Sequence, residues 1–227
     1  MKNIIKEYRS VLENSVLFSG LNDSRLEEHL QYYRAAVKVY DKGDFLVGTE
    51  EKMKHFGLVL RGSVQAVMDD INGDRIIMAN VSEGVTFGEA LCFTGRLTDI
   101  FITATTDCRI LWLSCYNIRK NLQLNTEAER RFTNLLANRT LQMNDRIQVL
   151  SKKSLRAKLN TFFTQCMVQY KNTDFVLDMD RESMAAYLGI DRSALSRELS
   201  KMRSEGLLEF RKNRFKLLKA DLKHSCN

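Results

Sequence analysis

The sequence predicts an α+β protein: an N-terminal antiparallel, jelly-roll-like β-roll, a long dimerisation helix, and a C-terminal winged helix-turn-helix. Three observations carry this expectation. Between Val37 and Leu113 the chain is cut into short apolar or alternating runs separated by Gly, Asn and Asp, the pattern of a β-sandwich or barrel. From Thr126 to about Leu150 the pattern becomes helical, with Leu136, Met143 and Leu150 recurring at heptad spacing. From Asp180 to Met202, two narrow apolar stripes, Met184-Ala185-Leu188 and Leu195-Leu199-Met202, are joined through Gly189.

The elements follow in order. Residues 3–12 read as a helix with Ile4, Ile5, Tyr8, Val11 and Leu12 on one face, and residues 22–33 as a second, capped by Asn22 or Asp23. Strands are expected at Val37–Tyr40, Asp44–Val47, Phe56–Leu60, Ser63–Met68, Arg75–Val81, Asp99–Thr106 and Cys108–Leu113. Asn72-Gly73 suits a type I′ hairpin turn, while Gly43, Gly62 and Gly84 mark other corners. Thr126-Glu127-Ala128-Glu129 matches a capping box at the start of a helix that would run roughly 37 Å at about 1.5 Å per residue. A helix of that length wants a partner for its second face. The heptad points to the same helix of another subunit, with Leu136, Met143, Ile147 and Leu150 at the seam; packing on the β domain is the alternative. A further helix at 154–170 places Leu155, Leu159, Phe162, Phe163 and Cys166 toward a C-terminal core, with 150–153 as hinge. The expected division is 1–124, sensor; 125–150, dimerisation helix; 151–227, DNA-binding domain.

The helix at 191–202 would offer Arg192, Ser193, Ser196, Arg197 and Lys201 outward, across a glycine free to adopt positive φ. An ordinary pair of core helices is the competing reading of that pattern. Charge weighs against it. Residues 181–227 hold eleven Lys or Arg against six Asp or Glu, a surplus of five in a chain of net charge +7, and clustered cations supply the phosphate-binding part of DNA affinity. Phe210, Phe215 and Leu217 flank a Lys212-Asn213 turn, which fits a wing laying Arg211, Lys212 and Arg214 along the backbone of double-stranded DNA.

At 227 residues and 44% hydrophobic the chain can build two cores, and its apolar runs fall short of the ~20 residues of a membrane helix. The charged first residues do not form a signal peptide, so a cytoplasmic location without membrane contact is expected. Cys92, Cys108, Cys115, Cys166 and Cys226 include no Cys-x-x-Cys pair; most are expected reduced and buried. His29, His55 and His224 stand in isolated contexts, so no metal or other cofactor is expected. No catalytic motif is visible, and the chain is read as a non-enzyme.

Taken together, Tyr40-x-Lys-Gly-Asp44, Gly57-Leu-Val-Leu-Arg-Gly-Ser-Val64, Gly73-x-x-Ile76, Phe87-Gly-Glu-Ala90, Tyr187-Leu-Gly-Ile-Asp-Arg-Ser-Ala-Leu-Ser-Arg197 and Glu205-Gly-Leu-Leu208 resemble the bacterial cyclic-AMP receptor protein and fumarate-nitrate regulator (CRP/FNR) family over nearly the whole chain. The resemblance implies that Arg197 reads a guanine bidentately, Arg192 contacts a base or phosphate, and Ser196 permits close approach. Ser193 stands where the family commonly has glutamate, which changes the half-site. It also implies an effector pocket around Gly88, Glu89, Ala90, Arg96 and Thr98. Thr98, followed by Asp99, occupies the position of the family's phosphate-binding arginine, so cyclic AMP is not the expected effector. The implied function is a homodimeric, ligand-responsive transcription regulator on a palindromic operator, with RNA polymerase an open further partner. A ligand-independent nucleic-acid binder, or a small-molecule-binding interaction module, is the alternative.

Overall fold

The computed structural model describes residues 1–50, 52–69, 75–177 and 179–218. The chain divides into two compact units, Met1–Ala137 and Asn138–Asn227.

The first unit opens with helices α1 (Lys2–Asn14) and α2 (Asp23–Tyr32), the second capped by the Asn22 side chain, which accepts from the Arg25 N–H. Strands follow: β1 (Ala36–Tyr40), β2 (Phe45–Val47), β3 (His55–Arg61), β4 (Val64–Asp69), β5 (Arg75–Val81) and β6 (Thr86–Phe87). Helix α3 (Glu89–Thr94), strands β7 (Phe101–Ala104) and β8 (Cys108–Ser114), and helix α4 (Cys115–Leu124) come next. Among the described residues these strands form two four-stranded antiparallel sheets, β1-β8-β3-β6 and β2-β7-β4-β5, the layered arrangement expected of a β-roll. The Asn72-Gly73 turn lies outside the described residues, although β4 and β5, which flank it, pair as Met68↔Ile76 and Asp69↔Arg75.

Strand alternation sorts the core. Phe56, Leu58 and Leu60 on β3, with Leu111 and Leu113 on β8, join the apolar faces of α1 and α2, while Val59, Ile110 and Trp112 join Val47, Val64, Phe87 and Ile102 between the sheets. Gly57 sits opposite both Phe87 and Trp112 in the strand register. The Phe87 ring fills the space above it: a Cβ at Gly57 would lie 2.5 Å from Phe87 Cε1.

Helix α5 (Thr126–Leu150) is continuous through the division between the units. Its cap corrects the sequence reading, because the Asn125 side chain, not Thr126, accepts from the N–H groups of Glu127 and Ala128.

The second unit contains α6 (Leu155–Tyr170), β9 (Asp174–Val176), α7 (Arg181–Leu188), α8 (Arg192–Ser204), β10 (Leu208–Arg211) and β11 (Arg214–Leu217), with sheet order β10-β11-β9. Val149, Leu159, Phe163, Leu188, Leu195, Leu199, Met202 and Leu208 are fully buried in one cluster, and Phe163 packs on Phe215 at 5.2 Å between ring centroids. No helix among the described residues is long and apolar enough to cross a membrane.

Candidate nucleic-acid interface

Local chemistry fixes both ends of the helix pair. Asp180 caps α7 by accepting from the Ser183 N–H at 2.8 Å, and that bond holds its carboxyl below the usual range. Gly189 terminates α7 in the left-handed conformation at φ +61°, and Lys158 Nζ donates to the Leu188 carbonyl at 2.9 Å where the helix dipole is negative. Helix α8 then turns Leu195, Leu199 and Met202 inward, leaving Arg192, Ser193, Ser196, Arg197 and Lys201 exposed as the spacing predicts.

Glu198 on α8 and Glu205 just past its end are both engaged from α6. Arg156 on α6 bonds Glu198, and bonds both oxygens of Glu205 just past the helix end at 2.5 and 3.2 Å. Its hydrogen bonds hold the Glu205 carboxyl below the ordinary value. Among the described residues no salt bridge involves Arg192, Arg197, Lys201, Arg211 or Lys212, so this surface keeps its positive charge.

The wing is β10 and β11, closed by Lys212-Asn213 with Lys212 at φ +55°. It is braced by Arg181, whose guanidinium lies over Phe210 and Phe215 at 5.3 and 5.1 Å and donates to the Lys212 carbonyl. Arg211 and Lys212 are exposed at the tip. Arg214 is already held by Asp174 through bonds of 2.8 and 3.0 Å, a pairing that becomes visible only when β9 docks against β11.

In the first unit the Phe87-Gly-Glu-Ala90 cassette joins β6 to α3 through Gly88 at φ +84°. Glu89 is buried and accepts from Thr86 Oγ1 at 3.0 Å. Thr98 is also buried, exchanging bonds with the backbone of Ile100, whereas Arg96 and Ala90 are exposed. None of Gly88, Glu89, Ala90, Arg96 and Thr98 lines a cavity of about 550 Å³ in this unit, which opens among β1, β2, residues 52–55 and Trp112.

Leu136 packs partly against the core of its own unit, while Met143 is 66% and Ile147 60% exposed, with Leu150 also exposed. The cysteine reading is corrected: Cys92 on α3 and Cys115 at the start of α4 form a disulfide across a Cα separation of 5.8 Å, while Cys108 and Cys166 are free and buried. The sequence gives no spacing signal for that pair, because the cassette fold alone brings the two together.

The model of the cyclic nucleotide-binding domain matches residues 37–123, and that of the Crp-like helix-turn-helix domain matches residues 157–222. The chain thus carries the two domains of CRP/FNR regulators in order and is homologous to that family. Its curated relatives include the cAMP-activated global transcriptional regulator CRP of Pasteurella multocida (strain Pm70), 22% identical over 174 residues, covering 74% of this chain and 83% of that protein. The CRP of Escherichia coli O6:H1 is 26% identical over 139 residues, covering 61% of this chain and 62% of that protein. A mutant CooA from Carboxydothermus hydrogenoformans shares the fold at a TM-score of 0.68, with 21% identity and 94% of each chain covered. This CRP/FNR protein is thus a DNA-binding transcription regulator with a ligand-binding-type domain, and α7–α8 is its Crp-like helix-turn-helix.

Proposed function

We infer that this CRP/FNR regulator acts as a cytoplasmic homodimer that reads a palindromic operator through the helix at 191–202, under control of a small molecule other than cyclic AMP. The carrying observation is the exposed Arg192-Ser193-Ser196-Arg197 face of α8, with Glu198 and Glu205 engaged by Arg156. Arg197 is assigned to guanine, Arg192 to base or phosphate, and Lys201, Arg211, Lys212 and Arg214 to the DNA backbone, the last in competition with Asp174. The exposed Met143, Ile147 and Leu150 support a two-fold seam along residues 125–150, which would space two reading heads for one helical turn, about 34 Å. Cyclic AMP activates the named CRP relatives; here Thr98 and Asp99 replace the phosphate-binding arginine context, and Glu89 is engaged by Thr86.

The self-satisfied cassette also favours a second reading, a DNA binder that needs no ligand. Binding-site selection from random duplexes, with and without a metabolite extract, tests both. A palindrome bound at least ~10³-fold over random DNA with a steep salt dependence supports the regulator. Arg197→Ala should then weaken operator binding by about 1–3 kcal/mol per half-site while sparing random DNA. Equal loss on both would reduce Arg197 to a phosphate contact.

A further inference from the structure

A cavity of about 550 Å³ in the first unit is unaccounted for by the cassette, and its origin is legible in the strand register. Trp112 on β8 lies between Gly57 on β3 and Ala36 on β1. Phe87 covers the indole edge-on from the Gly57 side, with ring centroids 5.4 Å apart. On the other side Ala36, with only a methyl group, fills little of the space beside the buried indole. The result is a basin of about 550 Å³, within the size range of small-molecule sites, floored by Trp112, Tyr40, Leu46, Val47 and Met53. Trp112 is fixed in place by donating from Nε1 to the Tyr40 hydroxyl at 3.0 Å.

The rim is as one-sided as the floor is apolar. Arg34, Lys38, Lys52, Lys54 and His55 line it, and no acidic residue does so among the described residues. No salt bridge among the described residues involves any of the four Lys or Arg side chains. Burial, then Lys38 and Lys54, push the His55 pKa down, so the uncharged imidazole is favoured until a negative charge arrives.

We propose that this basin binds a small amphipathic anion, its aromatic or aliphatic body on Trp112 and Met53 and its carboxylate, sulfonate or phosphate held by Lys38, Lys54 and His55. The proposal rests on the regulatory reading above only in making this ligand the effector. The basin has a packed route to the long helix. Met53 lies against Gly88, where an added Cβ would meet its sulfur at 2.8 Å; Gly88 starts α3, and Phe93 on α3 packs on Phe132 of α5 at 4.3 Å.

Trp112 is the chain's single tryptophan, so its fluorescence reports the floor directly. The full-length protein is titrated with 8-anilino-1-naphthalenesulfonate, and the bound probe is competed with decanoate and with decanol. Saturable quenching of Trp112 is expected, with decanoate displacing the probe about tenfold more effectively than decanol, consistent with a charge-assisted contact. Lys38→Gln combined with Lys54→Gln should weaken the probe about fivefold or more. Ala36→Phe, at an exposed position, should abolish quenching while leaving the circular dichroism spectrum intact. Bound decanoate should raise the His55 titration midpoint by NMR. Equal competition by decanol, or unchanged quenching in Ala36→Phe, overturns the site. A hexaglutamate peptide that binds more tightly than decanoate and survives Ala36→Phe would give the surface to an acidic protein partner and likewise overturn it. These measurements contain no DNA, so failure of operator recognition leaves them interpretable. Failure of the probe leaves the DNA assays unaffected.

Discussion

Gly57→Ala tests how the interior of the first unit is closed. A Cβ at Gly57 would meet Phe87 Cε1 at 2.5 Å and Cε2 at 2.8 Å, separations that require the ring to move. The ring has little room, since Phe87 is buried and packs edge-to-face on Trp112 at 5.4 Å. Overpacking of this kind costs about 1–3 kcal/mol. Replacing glycine in a strand returns roughly 0.5–1 kcal/mol of chain entropy, leaving a net loss of about 0–2.5 kcal/mol, centred on ~1 kcal/mol. For a unit the size of Met1–Ala137 the central value lowers the melting temperature by roughly 3–5 °C. Thermal unfolding followed by Trp112 fluorescence reads the loss, and the emission of the folded variant should shift as the Phe87 contact is disturbed. Phe87→Leu in the same chain should recover about 1 kcal/mol relative to additivity, because the smaller side chain vacates the site. A Gly57→Ala protein that melts higher than the parent, with strictly additive behaviour toward Phe87→Leu, would refute the packing argument.

Three further outcomes are expected. The Cys92–Cys115 disulfide closes a sequence separation of 23, which in the chain-entropy account contributes about 3 kcal/mol; Cys92→Ser with Cys115→Ser, or dithiothreitol on the parent, should lower the urea midpoint correspondingly, and insensitivity to both removes the bond from the stability of the unit. Burial pushes the Cys166 thiol up to about 12, so iodoacetamide at pH 8 should leave it unlabelled in the native protein and modify it after denaturation; native labelling at the rate of a free thiol would contradict its burial. Asp174, Asp180 and Glu205 are held low by Arg214, by the Ser183 N–H and by Arg156 respectively, so their stabilisation is present above their unfolded pKa values, about 3.9–4.3, and is lost as pH falls through the lower folded values. Hydrogen exchange across residues 155–217 should therefore be flat from pH 7 to about 5, after correction for intrinsic rates, with protection falling below that; Asp180→Asn should make the fall shallower, and an unchanged slope would count against the cap.

What the sequence by itself determined is what short-range periodicity encodes. Leu195, Leu199 and Met202 repeat on one helical face and Gly189 supplies the left-handed turn, so the reading helix, its exposed Arg192 and Arg197, and the Lys212-Asn213 wing tip follow from neighbours a few residues apart. The two short elements around the cassette, β6 and α3, were not legible, because segments so brief hold their shape through packing rather than propensity. Tertiary structure alone decided that Cys92 meets Cys115, that Arg214 is claimed by Asp174, that Arg156 gathers Glu198 and Glu205, and that Ala36 and Trp112 line one basin. Each depends on which distant strands and helices become neighbours and in what register. Shifting a strand by one residue exchanges its faces, so no local pattern specifies which side chain will stand beside which.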